Sequence, residues 1–343
     1  MRLITDMKDK RITLSHGAGG KLMHNLIEGI FKRHFSNPLL DIFDDASVFP
    51  SLPEKEICFT TDSYTVQPIF FPGGDIGKLA ICGTVNDLSV SGAKPFYISV
   101  SFIIEEGFEI EKLERIVISM KKASEEADVK IITGDTKVVE KGKADKIFIN
   151  TSGIGFKKKS LLLGRDFIKE GDVIIINGNI GEHGLAVIKE RKGIEFDAEI
   201  ESDCAPLNKM IEEIIEDGAK IKFMRDPTRG GIATTLNEIV EGKNFGIILY
   251  EEKIPSGENV KSLCEILGFD PLYIANEGKV IIVAERKDAD KIINKMRKNK
   301  YGRKAEIIGE VVGKPTGKVL LKTEIGSTRI IDMPAGELFP RIC

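Results

Sequence analysis

The first residues of this sequence with an evident chemical use are aspartates at the ends of apolar runs. Each has small or polar neighbours, and the set comprises Asp44 and Asp45 in DDA, Asp62 in TTDS, Asp87 in VND and Asp135 in TGDT. Mg²⁺ takes oxygen ligands in octahedral geometry and often shares them with substrate phosphates. Any single Asp is more often a cap or turn residue. Together, carboxylates converging from several strand ends would suit a magnesium nucleotide.

Glycine-rich turns could supply the phosphate-binding part of such a site. They are HGAGGK (16–21), FPGGDIGK (71–78) and DPTRGG (226–231), each directly before a predicted helix. Backbone N–H groups and the helix dipole favour an anion at that position. None has the GxxxxGK[ST] spacing of a P-loop, and none is a GxGxxG after a strand. Glycines in loops usually occur only because the backbone needs dihedral angles that other residues disfavour. The prediction of a nucleotide site therefore depends on the glycine-rich turns and the aspartates together.

The printed sequence ends in GELFPRIC, with Cys343 as its last residue. A cysteine there could be an accident of sequence, and a prenylated cysteine would stand four residues from the end. The remaining hypothesis is that Cys343 is a movable chemical handle. The other cysteines, Cys58, Cys82, Cys204 and Cys264, are far apart and form no CxxC pair. We therefore expect no zinc or iron–sulfur site.

Composition places the chain among globular proteins. Its 343 residues, 42% hydrophobic and 30% charged, can bury a sizeable core and predict two domains. A net charge of -3 and a pI near 6.0 give no general attraction for nucleic acid or anionic membranes. Apolar stretches are far short of a membrane span, and the first residues lack the apolar region of a secretory signal. We expect a cytoplasmic protein without nucleic-acid or membrane partners.

Short β patterns alternating with amphipathic helices must position these side chains. The predicted strands are rich in Ile, Val and Phe. They are 57–61, 97–104, 130–133, 146–151, 173–177, 246–250, 279–284, 305–311 and 318–322. Within 109–127, Leu113, Ile116, Val117 and Met120 recur at helical spacing, which predicts an amphipathic helix that buries them.

The order of elements predicts an α/β (α+β) protein with a mobile end. Two α/β domains, 1–157 and 158–314, meet near the turn-like segment FKKKSLLLGRD. The segment 315–343 is punctuated by prolines and has strand-like pieces but no long helix. Because about 20 extended residues reach on the order of 60 Å, we expect this tail to carry Cys343 into a distant active site.

The ordered motifs resemble those of a known family. HGAGG, DDA, FTTDS, FPGGDIGKLAICGTVNDLSVSGAKP, TGDTKVV, DPTRGG, ANEGK and PRIC are similar to those of the HypE family of hydrogenase maturation proteins, from His16 to Cys343. The aspartate and glycine motifs alone resemble the wider superfamily of aminoimidazole ribonucleotide synthetase, selenophosphate synthetase and thiamine monophosphate kinase. The PRIC ending singles out HypE within that superfamily.

The resemblance implies a two-domain aminoimidazole ribonucleotide synthetase-like fold, a homodimer formed through strands of the N-terminal domain, and binding of ATP and Mg²⁺. It implies that Cys343 receives a carbamoyl group from the carbamoyltransferase HypF, and that this S-carboxamide is dehydrated to a thiocyanate. The cyanide ligand then passes to iron on a HypC–HypD complex for the nickel–iron hydrogenase centre. ATP turns the departing oxygen into phosphate, while a base removes protons from nitrogen.

The resemblance also assigns roles to residues. Cys343 carries the substrate, Glu277 of ANEGK is the preferred base, and Lys137 contacts a phosphate or takes part in proton transfer. The alternative for Glu277 and Lys137 is a solvated surface pair. Arg341 is expected to guide the tail through carboxylate or phosphate contacts, with simple solvation as the alternative. The expected magnesium ligands are Asp45, Asp62, Asp87 and Asp135. The other expected nucleotide-binding residues are Asp226, His16, Gly73, Gly74 and Thr228.

Two other functions stay open. A small-molecule ATP-dependent kinase or synthetase of the same superfamily would use the nucleotide site but leave PRIC unexplained. Selenophosphate synthetase is disfavoured because HGAGG carries no cysteine. A non-enzymatic carrier or scaffold, whose thiol binds metal or docks a partner, would leave the aspartates without a role. ATP turnover on a free metabolite after Cys343→Ala would favour the first, and absent ATP hydrolysis by the carbamoylated protein the second.

Overall fold

The structure is a computed structural model that describes residues 20–26, 28, 47–52, 54–194 and 196–334. Some residues of the predicted site and tail lie outside these ranges, namely His16, Asp44, Asp45, Arg341 and Cys343. Within the ranges, no helix combines the length and apolar character that crossing a membrane requires. Helix α1 (Lys21–Leu26) directly follows the first glycine-rich motif, as the sequence predicted.

The N-terminal unit is built on a mixed sheet. Its strands are β1 (Ser47–Leu52), β2 (Lys55–Tyr64), β3 (Phe70–Phe71), β4 (Gly74–Asp75), β5 (Lys94–Glu105), β6 (Lys130–Val139) and β7 (Ile147–Lys158). Among the described residues the sheet order is β1-β2-β7-β5-β6, with β5 and β6 parallel and the other pairs antiparallel; β3 and β4 form a separate hairpin. Residues of β7 alternate between buried and half-buried, as expected for a sheet covered on one face.

Helices α2 (Ile76–Val90) and α3 (Ile110–Ala127) cover that face, with α2 against the sheet and α3 against α2. Asp75 caps α2 by accepting hydrogen bonds from the N–H groups of Gly77 and Lys78 at 2.7 and 3.1 Å. At Gly77, a Cβ would stand 2.6 Å from the carbonyl oxygen of Ile116, so glycine permits the close helix contact.

One part of the α3 prediction was wrong. Ile116 and Met120 are buried as expected, and Leu113 packs against the core. Val117, however, is 46% exposed. The buried stripe runs from Ile116 through Met120 to Ala123 and Ala127. Val117 follows Ile116 by one residue and so lies about 100° around the helix from the centre line of that stripe.

The C-terminal unit is a sheet with helices on both faces. Its strands are β8 (Val173–Ile176), β9 (Ile221–Arg225), β10 (Gly246–Tyr250), β11 (Ile281–Ala284), β12 (Glu306–Val312), β13 (Val319–Lys322) and β14 (Thr328–Ile331). Their order in the described part of the chain is β14-β13-β10-β12-β8-β11-β9, with only β10 and β13 parallel. The helices are α4 (Glu182–Lys192), α5 (Asn208–Glu216), α6 (Gly231–Val240), α7 (Glu258–Leu267) and α8 (Ala289–Lys298). Short 3₁₀ turns span Arg165–Phe167, Glu251–Lys253, Pro271–Tyr273 and Arg286–Asp288.

The central strand β8 shows why this sheet is buried on both sides. Ile174 and Ile176 join the core under α6, whereas Val173 and Ile175 join the core under α5 and α8. An uninterrupted VIII run therefore serves both cores, which is typical of strands covered on two faces.

Each of the predicted strands is present, and the two-domain fold of mixed helix and strand is confirmed. The segment from residue 315 differs from the prediction of a tail. Strands β13 and β14 pair with each other, and β13 pairs with β10, so residues 319–331 belong to the C-terminal sheet.

Candidate active site at the junction of the two domains

Asp62 and Asp87 come together although they lie on different elements. Asp62 is on β2 and Asp87 is on the last turns of α2, and a hydrogen bond joins their carboxyl groups. Tyr64 donates to Asp62 Oδ2 at 3.1 Å, and Thr60 donates to Asp87 Oδ2 at 2.8 Å. Burial raises the pKa of Asp62, against the opposing charge of Arg229 and these hydrogen bonds. Adjacent carboxyl groups must share a proton or a cation.

Glu277 is the most deeply buried of the predicted catalytic residues that the structure describes. Only 4% of its surface is exposed. Burial raises its pKa well above the usual range, and Cys204, Asp226, Asp203 and Asp62 raise it further. A hydrogen bond with Cys82 and burial raise the pKa of Cys204 itself, so near neutral pH that thiol is uncharged. The charges that act on Glu277 are then those of the aspartates. Because Glu277 is buried, it cannot be part of a solvated surface pair.

Asn276 ties this glutamate to the DPTRGG loop. Its backbone N–H and its Nδ2 both donate to the carbonyl oxygen of Pro227, at 3.2 and 3.0 Å. Its Oδ1 accepts from the N–H of Gly181 at 2.8 Å. Asp226 is buried beside this contact, and Thr228, half-buried, accepts a hydrogen bond from the N–H of Gly231. The structure thus brings the 226–228 segment to Glu277.

The same loop explains one glycine of the motif. Gly231 has φ +60, and a Cβ there would stand 2.5 Å from the carbonyl oxygen of Ile274. Glycine therefore meets two demands at once, a left-handed backbone and a close approach to the segment that leads into Glu277. Helix α6 begins at this residue, as the motif predicted.

Gly73 makes a contact between the domains. It has φ +86, and a Cβ there would stand 2.7 Å from the backbone N and O of Ser202. Ser202 N donates to Pro72 O at 2.8 Å, and Lys78 Nζ donates to Gly73 O at 2.8 Å. Gly74 follows in β4 and is half-buried. Nucleotide binding by Gly73 and Gly74 stays a prediction, because this geometry already accounts for Gly73 by packing.

Asp135 and Lys137 lie apart from this cluster within one chain. Both are exposed on β6, an edge strand separated from β2 by β7 and β5. At about 4.8 Å per strand, that places β6 about 14 Å from β2. Asp62 pairs with Thr151, which pairs with Val100, which pairs with Gly134. Asp135 is one residue further, so it lies on the opposite face of the sheet.

Asn86 is a residue of this junction that sequence reasoning did not identify. It lies in the buried helix α2, and its Nδ2 donates to Ala205 O at 3.0 Å and to Glu277 O at 3.4 Å. Its Oδ1 accepts from Leu207 N at 2.8 Å. The signal in the sequence is a polar residue beside Asp87 in a largely apolar helix. Asp203 and Lys279 were also missed as a pair.

The described carboxylates fit a magnesium ion that is shared with a nucleotide. Among the residues that the structure describes, no group of three or more His, Cys, Asp or Glu side chains could hold a metal by itself. The Asp62–Asp87 pair provides two adjacent, half-buried carboxyl groups, and the charge of Asp62 acts on Glu277. Mg²⁺ is commonly held by one or two carboxylates together with substrate phosphates and water.

Comparisons with known proteins agree over nearly the whole chain. The N-terminal domain of AIR synthase related proteins matches residues 43–156, and the C-terminal domain matches 169–322. Carbamoyl dehydratase HypE of Rhizobium leguminosarum bv. viciae is 50% identical over 339 residues, which cover 98% of this chain and 97% of that protein.

Solved structures give the same relationship. The crystal structure of a HypE–HypF complex matches with a TM-score of 0.85 and 51% identity, covering 90% of this chain and 99% of that one. The crystal structure of HypE in complex with ATP matches with a TM-score of 0.81 and 44% identity, covering 96% and 98%. Sequence motifs, fold and relatives together show that this chain belongs to the HypE family of carbamoyl dehydratases, built from two AIR synthase related domains.

Proposed function

We propose that this protein is an ATP-dependent carbamoyl dehydratase that converts an S-carboxamide on Cys343 into a thiocyanate, the source of the cyanide ligand of a nickel–iron hydrogenase centre. The observation that carries the proposal is the buried Glu277 beside the Asp62–Asp87 pair. It occurs in a chain 50% identical to a carbamoyl dehydratase HypE, and the ATP complex of a 44% identical relative supports the nucleotide.

The reaction removes one oxygen and two protons from the carboxamide. Its oxygen attacks the γ-phosphoryl group of ATP, ADP departs, and nitrogen loses its first proton. The C–O bond then breaks, phosphate leaves with the oxygen, and loss of the second N–H proton completes the C–N triple bond. Phosphorylation is needed because hydroxide is a poor leaving group, and holding both reactants in one site supplies much of the rate.

Glu277 is the proposed acceptor for a nitrogen-bound proton. In the structure, burial and neighbouring aspartates raise its pKa well above the usual range, which favours the protonated carboxyl group. Mg²⁺ held by Asp62 and Asp87 would offset charge on the transferred phosphoryl group. Neutralising Asp62 also removes one of the charges that raise the pKa of Glu277, so binding of the metal nucleotide prepares Glu277 to act as a base.

The other assignments belong to the same proposal. Asp226, Thr228, Gly73 and Gly74 are proposed for the nucleotide, as is His16. Asp45 and Asp135 complete the proposed metal ligands, and Lys137 contacts phosphate or moves a proton. Because Asp135 and Lys137 lie on the uncovered face of the N-terminal sheet, their roles depend on a site that a second chain completes.

A homodimer through that face is therefore part of the proposal. Phe59 on β2 and Tyr97 and Ile103 on β5 share it and are 42%, 40% and 44% exposed, which is high for large apolar side chains on one face of a sheet. HypF is the proposed source of the carbamoyl group, supported by the complex of a 51% identical HypE with HypF. A HypC–HypD complex is the proposed acceptor of the cyanide ligand.

Mass spectrometry of the peptide that contains Cys343 tests the function directly. Carbamoylated protein incubated with Mg-ATP should lose the mass of one water from that peptide, with one ADP formed for each loss. Cys343→Ala should abolish both events. ATP turnover that persists in Cys343→Ala and consumes a free metabolite would instead establish a small-molecule kinase or synthetase.

Glu277→Gln tests the assignment of the base. We expect it to bind ATP with unchanged affinity but to stop the mass change, because Gln cannot accept the proton. Glu265→Gln, the same change at an exposed position on α7, should dehydrate normally. Dehydration at the normal rate in Glu277→Gln would contradict the role of Glu277.

A further inference from the structure

A single buried carboxylate holds the segment that carries Glu277. The side chain of Asp203 is 2% exposed. Its Oδ1 accepts from Glu277 N at 3.1 Å, and its Oδ2 accepts from Gly278 N at 3.1 Å and from Lys279 Nζ at 2.7 Å. Consecutive residues of the ANEGK motif therefore converge on one side chain from a loop 74 residues away in sequence from Glu277.

The two backbones approach each other closely at this point. A Cβ on Gly278 would stand 1.8 Å from the carbonyl oxygen of Asp203, so only glycine fits. Ala205 N donates to Glu277 O at 3.4 Å, on the other side of the same peptide. Residues 203–205 therefore hold the backbone of Glu277 on both sides, which limits where its side chain can be placed.

Lys279 completes the arrangement and is itself 7% exposed. Besides Asp203, its ammonium group has Glu182 Oε2 at 3.6 Å. Although burial raises the pKa of Asp203, the charge and hydrogen bond of Lys279 bring it below its usual range, so Asp203 is ionised. Desolvation offsets most of the attraction within a buried ion pair, so the pair adds little net stability. Its main effect is to fix the arrangement of the groups that it joins.

We propose that Asp203 and Lys279 are a positioning pair for Glu277, with Asp203 fixing the orientation of the peptide that bears the base and Lys279 holding the Asp203 carboxylate in place through their 2.7 Å hydrogen bond. This inference rests on the proposed function and adds residues to it. Neither side chain touches the reacting atoms. The pair acts on the reaction through Glu277.

The pair also contributes to the charge around Glu277. A change in the pKa of Glu277 therefore distinguishes a positioning role from simple structural support. The titratable groups that face Glu277 are Asp62 and Tyr64 from β2, Asp226 from the DPTRGG loop, and Asp203 and Cys204 from the loop beneath it. Removing the charge of Asp203 should lower the pKa of Glu277. Removing the charge of Lys279 should lower it as well, because the buried Asp203 then takes up a proton and its charge no longer acts on Glu277.

The experiment measures single-turnover water loss from the peptide containing Cys343, in carbamoylated full-length protein with saturating Mg-ATP, from pH 5 to 9. Asp203→Asn and Lys279→Met should each slow dehydration about 10- to 100-fold, the size expected for misplacing a catalytic group. ATP affinity should stay within about twofold, since ATP binding does not need the base. The acid limb of the profile should move to lower pH in both Asp203→Asn and Lys279→Met.

Control variants keep the result interpretable. Lys279→Arg preserves the charge and should return the acid limb to its wild-type position. Lys222→Met removes a comparable lysine from its 2.7 Å pair with Glu285, at the far end of the C-terminal sheet, and should leave rate and profile unchanged. Should Asp203→Asn fail to fold, the comparison of Lys279→Met with Lys279→Arg still decides the matter.

The outcomes separate this inference from the proposed function. If Glu277→Gln dehydrates at the normal rate, the role of Glu277 is wrong. If Glu277→Gln is inactive but Asp203→Asn and Lys279→Met lose activity without moving the acid limb, the positioning pair is wrong and the base assignment stands. A shift of the limb to lower pH in both variants supports both.

Discussion

At the scale of single residues, Gly278 offers a sharp test of how the site is built. The nearest atom to a Cβ at this position is the Asp203 carbonyl oxygen, at 1.8 Å. Gly278→Ala should therefore force the two backbones apart, lower the free energy of unfolding by about 1–3 kcal/mol and abolish dehydration. Urea unfolding and the water-loss assay would measure the two effects.

Gly257→Ala is the matched control for this change. Gly257 has φ -69, and its Cβ would lie 3.7 Å from the nearest atom, Asn179 Nδ2. Stability and dehydration should therefore stay close to those of the unsubstituted protein. Full activity in Gly278→Ala would show that the 203–205 loop is not needed to hold Glu277.

Residue types in motifs predicted part of this site, and long-range contacts account for what they missed. Asp62, Asp87, Asp226 and Glu277 were identified because each stands in a recognisable motif, and the structure brings them together. Asp203 stands in SDCAP, which matches no pattern. Its role depends on a contact 74 residues away, and no local feature of a sequence encodes such a contact.

At the scale of secondary structure, helix α1 is held to the C-terminal unit by a contact that depends on pH. His24 Nε2 lies 3.0 Å from Glu238 Oε1 on α6, and Arg225 Nη1 lies 2.9 Å from Glu238 Oε2. The hydrogen bond with Glu238 raises the pKa of His24 above 6.5, against the effect of burial. Protonated His24 therefore stabilises this docking fully below about pH 6.5, and that stabilisation is lost as the pH rises through the raised value.

We expect α1 to be better protected at pH 6 than at pH 8.5. Hydrogen exchange of the peptide covering residues 20–26, corrected for the intrinsic rate at each pH, would measure this. In His24→Ala the corrected protection should be lower and equal at the two pH values. Equal protection in the unsubstituted protein would show that the ion pair does not hold the helix.

Strands were predicted where β-branched residues form uninterrupted runs and were missed where they do not. Strands β8 (VIII) and β11 (IIVA) are of the first kind. Strand β9 (IKFMR) carries a charge at its second and last positions, and β3 and β4 have two residues each. Such segments become strands because neighbouring strands offer hydrogen-bonding edges, and local propensity does not register that tertiary effect.

At the scale of the whole molecule, Asn86 joins the two domains. It is buried, and its side chain bonds the backbone of Ala205 and Leu207 across the junction. Asn86→Ala would leave a buried carbonyl and a buried N–H unpaired, at about 1–3 kcal/mol each. We therefore expect a loss of at least about 2 kcal/mol in the free energy of unfolding, together with slower dehydration.

Asn259→Ala is the control for that prediction. Asn259 donates to Glu199 O at 3.3 Å in an exposed position, so water replaces the lost bond and stability should hardly change. Urea denaturation of both variants would settle the comparison. An unchanged midpoint in Asn86→Ala would show that Asn86 does not stabilise the junction of the two domains.

The proposed dimer makes a separate prediction at this scale. Ile103→Asp places a charge on the uncovered face of the N-terminal sheet and should convert a dimer to a monomer in light scattering. Ile325→Asp, at a position 91% exposed in the C-terminal unit, should leave the mass unchanged. A monomer of the unsubstituted protein at micromolar concentration would contradict the dimer.

The hydrogen bond from Lys21 N to Pro334 O, at 3.0 Å, fixes the point from which the last residues depart. Cys343 is the ninth residue after Pro334, and nine residues can span at most about 30 Å. The sulfur is therefore confined to a small volume around Pro334, where its effective concentration is on the order of 10 mM. A carboxamide on a separate thiol compound would compete with the one on Cys343 only at a concentration near that value. The site would therefore select its substrate by covalent attachment to the chain more than by affinity.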